Sequence, residues 1–134
     1  MSSYRKGRNY ERHVRDVIET AHDGICWMTT RSSGTSQRHP RHAVDLFVSF
    51  GHRPEVIFPT ECKMDWNVNH KLESERLKVL SETLGGAPVM LVIKSPKRDD
   101  YAYVIKHPVG LVAAFILGTE REVQWMFEKL GKIQ

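Results

Sequence analysis

The stretch from Ala43 to Met64, AVDLFVSFGHRPEVIFPTECKM, limits what this chain can fold into more than any other. Val44, Leu46, Val48 and Phe50 alternate along one run, and Val56, Phe58 and Thr60 along the next. Gly51-His52-Arg53-Pro54-Glu55 lies between them. β-Branched and aromatic residues flanking a Gly- and Pro-containing turn predict two strands of an antiparallel hairpin. Charge falls inside this apolar pattern: Asp45 in the first strand, Glu61 and Lys63 at the end of the second. Side chains alternate along a strand, so Glu61 and Lys63 share a face and Cys62 takes the other. Ionised groups are rarely buried without a partner or a metal. A hairpin that gathers two acids and a lysine therefore marks a candidate site. Its pattern is Asp, fifteen residues, then Glu-x-Lys.

The 134 residues suit one domain, 1–134, with a core of its own. The longest apolar run, Val109 to Leu117, is too short to span a bilayer, and the opening MSSYRKGRNYERHVR has no hydrophobic signal core. Two cysteines do not make a disulfide framework. The expectation is a cytoplasmic protein (host cytoplasm if the source is viral) with no membrane partner. The net charge of +4 is unevenly placed. Residues 1–42 carry eight Lys and Arg against four acids, whereas the remainder carries twelve of each. Four of the seven histidines also precede the hairpin. A basic segment beside a neutral one suits a polyanionic partner, and equally a solvated basic helix.

Along the chain, Tyr10, Val14, Val17, Ile18 and Ala21 form a stripe that predicts a helix from about Tyr4 to His22. Glu11 borders that stripe through its spacing to Val14 and Ile18. Arg8 lies off it. Ile25 to Thr30 reads as a strand. Arg31 to His42 lacks apolar periodicity and combines Ser32, Ser33, Arg31, Arg38 and Arg41 with two histidines, a set suited to phosphate contacts. After the hairpin, a helix is expected from His70 to Leu84, with Leu72, Leu77 (together with Arg76 or without it), Val79, Leu80 and Leu84 inward and Gly85-Gly86 as its stop. Ala87 to Ile93 and Tyr101 to Ile105 read as strands. Pro108 to Leu117 leans to helix on Gly110 and Ala113-Ala114. Thr119 and Glu122 have the spacing of a capping box before a last helix, whose inward residues are Val123, Met126, Phe127 and Leu130. The sum is a mixed α/β domain with a central five-stranded sheet flanked by helices.

Asp45 and Glu61 offer hard oxygen ligands, which suit Mg²⁺ or Mn²⁺ alongside substrate phosphate and water. The Cys and His spacing of a zinc site is missing. Lys63 supplies a point charge for a water or for charge developing on phosphorus. Glu11 could complete the set from the helix. Such a group can hydrolyse a phosphodiester with a metal-activated water.

The order RKGRNYER (Arg5 to Arg12), RSSGTS (Arg31 to Ser36), AVDLFV and then ECK resembles the archaeal-type Holliday junction resolvases, which have a restriction-endonuclease-like nuclease fold. The resemblance covers roughly residues 4 to 107. It departs at Thr35, where the family loop has serine, and at Val44, where proline is common. It implies that Glu11, Asp45, Glu61 and Lys63 are catalytic, the three acids as metal ligands. It further implies that Ser33 is the loop serine, that Arg5, Lys6 and Arg31 contact DNA, and that the protein is a Mg²⁺-dependent homodimer cutting four-way junctions. Arg8, Ser32, Arg38 and Arg41 are the further DNA-contact candidates. Competing readings are a nuclease of the same fold acting on flaps, nicked or foreign duplex, a non-catalytic DNA-binding protein, and a structural ion pair among Asp45, Glu61 and Lys63.

Overall fold

A computed structural model describes residues 3–28, 44–67, 69–97 and 99–133, with the backbone alone for residues 3–6 and 28. Helix α1, Ser3–Ala21, follows the stripe: Tyr10, Val14 and Ile18 are buried and Val17 half-buried, while Ala21 faces solvent. It turns into strand β1, Ile25–Met28, at Asp23 and Gly24. A Cβ at Gly24 would collide with the Ile18 side chain and the Ser49 carbonyl, so only glycine allows so close an approach.

The hairpin forms as expected, with β2 at Leu46–Ser49 and β3 at Ile57–Lys63. They pair antiparallel with Leu46 opposite Thr60 and Val48 opposite Phe58. Helix α2, His70–Thr83, is capped by the Asn69 side chain, which accepts from the Leu72 N–H at 3.1 Å. It ends where Gly85 and Gly86 take positive φ. Strands β4 (Val89–Lys94), β5 (Asp100–Lys106) and β6 (Gly110–Ile116) and helix α3 (Glu120–Gly131) complete the order.

Among the described residues the strands form one mixed sheet of six, in the order β1-β2-β3-β4-β5-β6. Every neighbouring pair is antiparallel except β3–β4, which is parallel. Helix α2 makes the crossover that a parallel pair requires. α1 and α3 pack on one face over Leu46, Val48, Phe50, Phe58, Met90, Val92 and Phe115. α2 packs on the other through Leu77 and Leu80 over Val89, Leu91, Ile93 and Ile105. No helix among the described residues is long and apolar enough to cross a membrane.

Three expectations need correction. The sheet has six strands, not five, because Gly110–Ile116 is β6 and not a helix. Gly110 has φ +93, outside the helical range, and Ala113, Phe115 and Leu117 alternate into the core. Leu72, Val79 and Leu84 are exposed on α2, not inward. The capping box does not form: Thr119 is the N-cap without a side-chain bond, and Glu122 Oε1 instead accepts from the Ile116 N–H at 3.0 Å.

Candidate active site

The two hairpin acids meet because the pairing continues one residue beyond β2. Asp45 N–H donates to Thr60 O at 3.0 Å, and Asp45 Oδ2 accepts from Cys62 N–H at 2.8 Å. The Asp45 carboxylate is thereby fixed to the Glu61–Cys62 peptide. Asp45 and Glu61 are both buried, at 7% and 6% exposure. Strand alternation sends Phe58 and Cys62 towards α1, and Glu61 and Lys63 towards α2.

Two α2 residues reach this group. Arg76 Nη2 lies 3.0 Å from Glu61 Oε2 and 3.2 Å from Glu73 Oε2. Glu73 Oε1 is 3.9 Å from Lys63 Nζ. Burial, and after it the charge of Asp45, push the Glu61 carboxyl above its ordinary range, while Arg76 and Lys63 work in the opposite direction. Burial opposes the charge on Arg76, yet Glu61 and Glu73 outweigh it and hold the guanidinium above its ordinary pKa. The Cys62 thiol stands well above its usual value through burial, then through Asp45, Glu11 and Glu61. It is thus no thiolate nucleophile.

Glu11 is half-buried on α1, in the helix layer opposite α2. Its helix is anchored at a distance in sequence. Tyr10 Oη donates to Asp100 Oδ1 at 2.8 Å, and His13 Nε2 lies 2.9 Å from Asp100 Oδ2. Burial first, then Asp100, drives the Tyr10 hydroxyl pKa upward, so it stays a donor.

The hairpin sets Asp45 against the Glu61–Cys62 peptide and sends Glu61 and Lys63 to the α2 face, while Glu11 stands on α1 over the other face. Among the described residues no three His, Cys, Asp or Glu side chains form a group that could hold an ion. Asp45 and Glu61 do suit a divalent cation: both are buried hard-oxygen donors, and burial disfavours Glu61 as an anion except as positive charge such as that of Arg76 offsets it. Arg8 is exposed on α1, and Arg5 and Lys6 lie in its first turns. Ser33, Arg31, Ser32, Arg38 and Arg41 lie outside the described residues. Sequence reasoning missed Arg76 and Glu73 as members of the site. Their only trace was polar residues three apart on the first helix after Glu-x-Lys. It also missed Asp100, for which no local signal exists.

The raised Glu61 pKa predicts how stability depends on pH. Ionising Glu61 costs the folded state more than the unfolded chain. The stability tied to its neutral form is fully present below the ordinary glutamate pKa and is lost as pH rises through its own raised value. In chelator, Glu61→Gln should therefore melt above wild type at neutral pH and level with it below about pH 4. Melting curves at the two pH values check this, and a Gln variant less stable at neutral pH would contradict it.

Comparison of the chain with known protein families and with curated proteins finds no match.

Proposed function

We propose that this chain is a divalent-metal-dependent DNA endonuclease of the restriction-endonuclease-like fold that resolves four-way junctions. One observation carries the reading: two carboxylates are buried on the hairpin, Asp45 bound to the Cys62 N–H that follows Glu61 in the chain, and Glu61 itself with Lys63 on its face. Buried acids facing a phosphate backbone repel it unless a cation intervenes, so the pair fits cleavage better than passive binding. The one parallel strand pair bridged by α2, with helices on both faces, supports the fold. The basic excess before residue 43 supports the polyanion.

Asp45 and Glu61 would hold Mg²⁺ or Mn²⁺, with Glu11 as the third acid offered from α1. The cation, when bound, supplies Lewis acidity at phosphate oxygen and a source of nucleophilic water. Lys63 Nζ, held towards α2 by Glu73, offers a proton-rich point charge to the attacking water and to the oxygens that gain charge. Asp45 keeps its geometry through the Cys62 N–H, which donates to one of its oxygens and stabilises the ionised form.

The test is incubation with an immobile four-way junction, a flap and plain duplex, each with Mg²⁺ and with chelator. Mg²⁺-dependent paired cuts in the junction are expected. Cuts confined to the flap or duplex would move the substrate within the same fold. Binding without cleavage of any of the three would overturn the nuclease.

Paired cutting leads to a further expected result, a two-fold dimer. One chain carries one set of Asp45, Glu61 and Lys63, hence one cut, whereas resolution needs two cuts related by a two-fold axis. Val109, Leu111 and Trp125 are exposed and remain available for a contact, but Ala113, Phe115, Leu117, Met126 and Phe127 close the domain core. A second apolar surface lies on β1–β3: Trp27 sits opposite Phe47, and Ile25 and Ile57 flank Ser49 in register, all four exposed. Sedimentation should show a dimer at micromolar concentration. Trp125→Ala and Trp27→Ala decide which surface holds it. A monomer that still makes paired cuts refutes the dimer.

A further inference from the structure

Arg76 makes a bond that hydrolysis by Asp45, Glu61 and Lys63 does not require. Its Nη2 donates to one oxygen of Glu61 at 3.0 Å, while Nη2 and Nε both reach Glu73 Oε2, at 3.2 and 3.3 Å. Glu73 in turn touches Lys63. Charge therefore alternates along Glu61, Arg76, Glu73 and Lys63 over the α2 side of the site. The Glu61 side chain is 7% exposed and that of Arg76 is 35% exposed. Arg76 thus reaches from the buried carboxylate to solvent.

A guanidinium cannot give up its proton, and its fork matches phosphate as well as carboxylate. Two cations on one carboxylate repel each other. If Glu61 is engaged by a divalent ion, Arg76 loses much of its reason to stay, and the nearest fresh anion is the substrate.

We propose that Arg76 couples cation binding to DNA binding: it holds Glu61 while no cation is present, and turns to a backbone phosphate once Glu61 is engaged by a divalent cation. This rests on the reading of Asp45 and Glu61 as a cation site. Glu73 holds Arg76 by a second acid, so the guanidinium stays on the site during the exchange. Such a coupling is reciprocal: the cation strengthens DNA binding by the same factor that DNA strengthens cation binding.

Two measurements without cleavage test it. Mn²⁺ binding to the DNA-free protein is read by electron paramagnetic resonance. Affinity for an immobile four-way junction is read by fluorescence anisotropy in Ca²⁺ and in chelator. In wild type, Ca²⁺ should tighten junction binding by about fivefold or more. Arg76→Met keeps an apolar stem and removes the competing cation. It should bind Mn²⁺ several-fold more tightly and lose most of the Ca²⁺-dependent gain for the junction. Arg76→Lys keeps the charge without the fork and should lie between the two; it also serves if the Met variant folds poorly. Wild-type behaviour of Arg76→Met in either measurement overturns the coupling. Glu61→Gln separates the two ideas. If it abolishes Mn²⁺ binding while Arg76→Met changes nothing, the cation site stands and the coupling falls. If wild type binds no Mn²⁺, or Glu61→Gln binds it unchanged, the site reading fails and the coupling with it.

Discussion

Asp45→Asn and Glu61→Gln should each lower junction cleavage by roughly 10³-fold or more, with junction binding in chelator held or strengthened. Each change removes a hard ligand and leaves the local shape nearly intact. The amide of Asp45→Asn still presents an oxygen to the Cys62 N–H, which Asp45 engages at 2.8 Å. The amide of Glu61→Gln likewise presents one to Arg76, which stands 3.0 Å from Glu61. Fold and surface are thus kept while negative charge is lost from a buried pair. The same loss eases repulsion of the phosphate backbone, which is why binding should not suffer. Cleavage and binding moving in opposite directions is the signature; a variant that merely unfolds loses both. Glu11→Gln discriminates further. Glu11 stands on the α1 side of the sheet, so a loss as deep as those of the hairpin variants would mean that its carboxylate reaches the cation. A shallow loss would give it a supporting charge only. Normal cleavage by both hairpin variants would end the assignment of hydrolysis to these residues.

How much of this was legible in sequence depended on whether the signal was local. The hairpin was legible because alternation, turn residues and misplaced charge all fall within about twenty residues, and one register then fixes where Asp45 meets Glu61. α1 was legible for the same reason. β6 was not: Gly and Ala carry little propensity information, and the pairing with β5 that decides the matter is tertiary. On α2 the apolar residues do not make one stripe, and its buried side is shared with polar groups. Ser81 is fully buried, donating to Ala87 O and accepting from the His107 N–H, while Glu73 and Arg76 turn to the site. Those bonds outbid Leu72 and Val79 for the inward positions. The site split along the same line. Asp45, Glu61 and Lys63 were readable, whereas Arg76 enters only because the crossover lays α2 beside β3, and Asp100 meets Tyr10 across ninety residues.

The second large effect concerns stability and tests that correction of α2. Phe58→Ala should destabilise the domain by about 3–5 kcal/mol, whereas Leu72→Ala should stay within about 0.5 kcal/mol of wild type. Phe58 is fully buried on β3, three residues before Glu61. Its ring meets Phe50 at 5.9 Å in a T-shaped contact and Phe127 at 5.8 Å, while Phe50 and Phe127 stand 5.9 Å apart. The three rings join the hairpin to α3, so truncating one leaves a cavity walled by the other two and removes the edge-to-face attraction between them. A loss of that size is a large share of the roughly 5–15 kcal/mol that holds a domain together. Leu72 lies in the first turn of α2 with 60% of its surface exposed, and alanine is at least as good a helix former. Urea denaturation of the two variants measures the difference, with the slope as a check that both remain two-state. A Leu72→Ala cost approaching that of Phe58→Ala would mean that α2 presents its other side to the sheet. Glu73 and Arg76 would then turn away from Glu61, and the charge chain over the site would not exist.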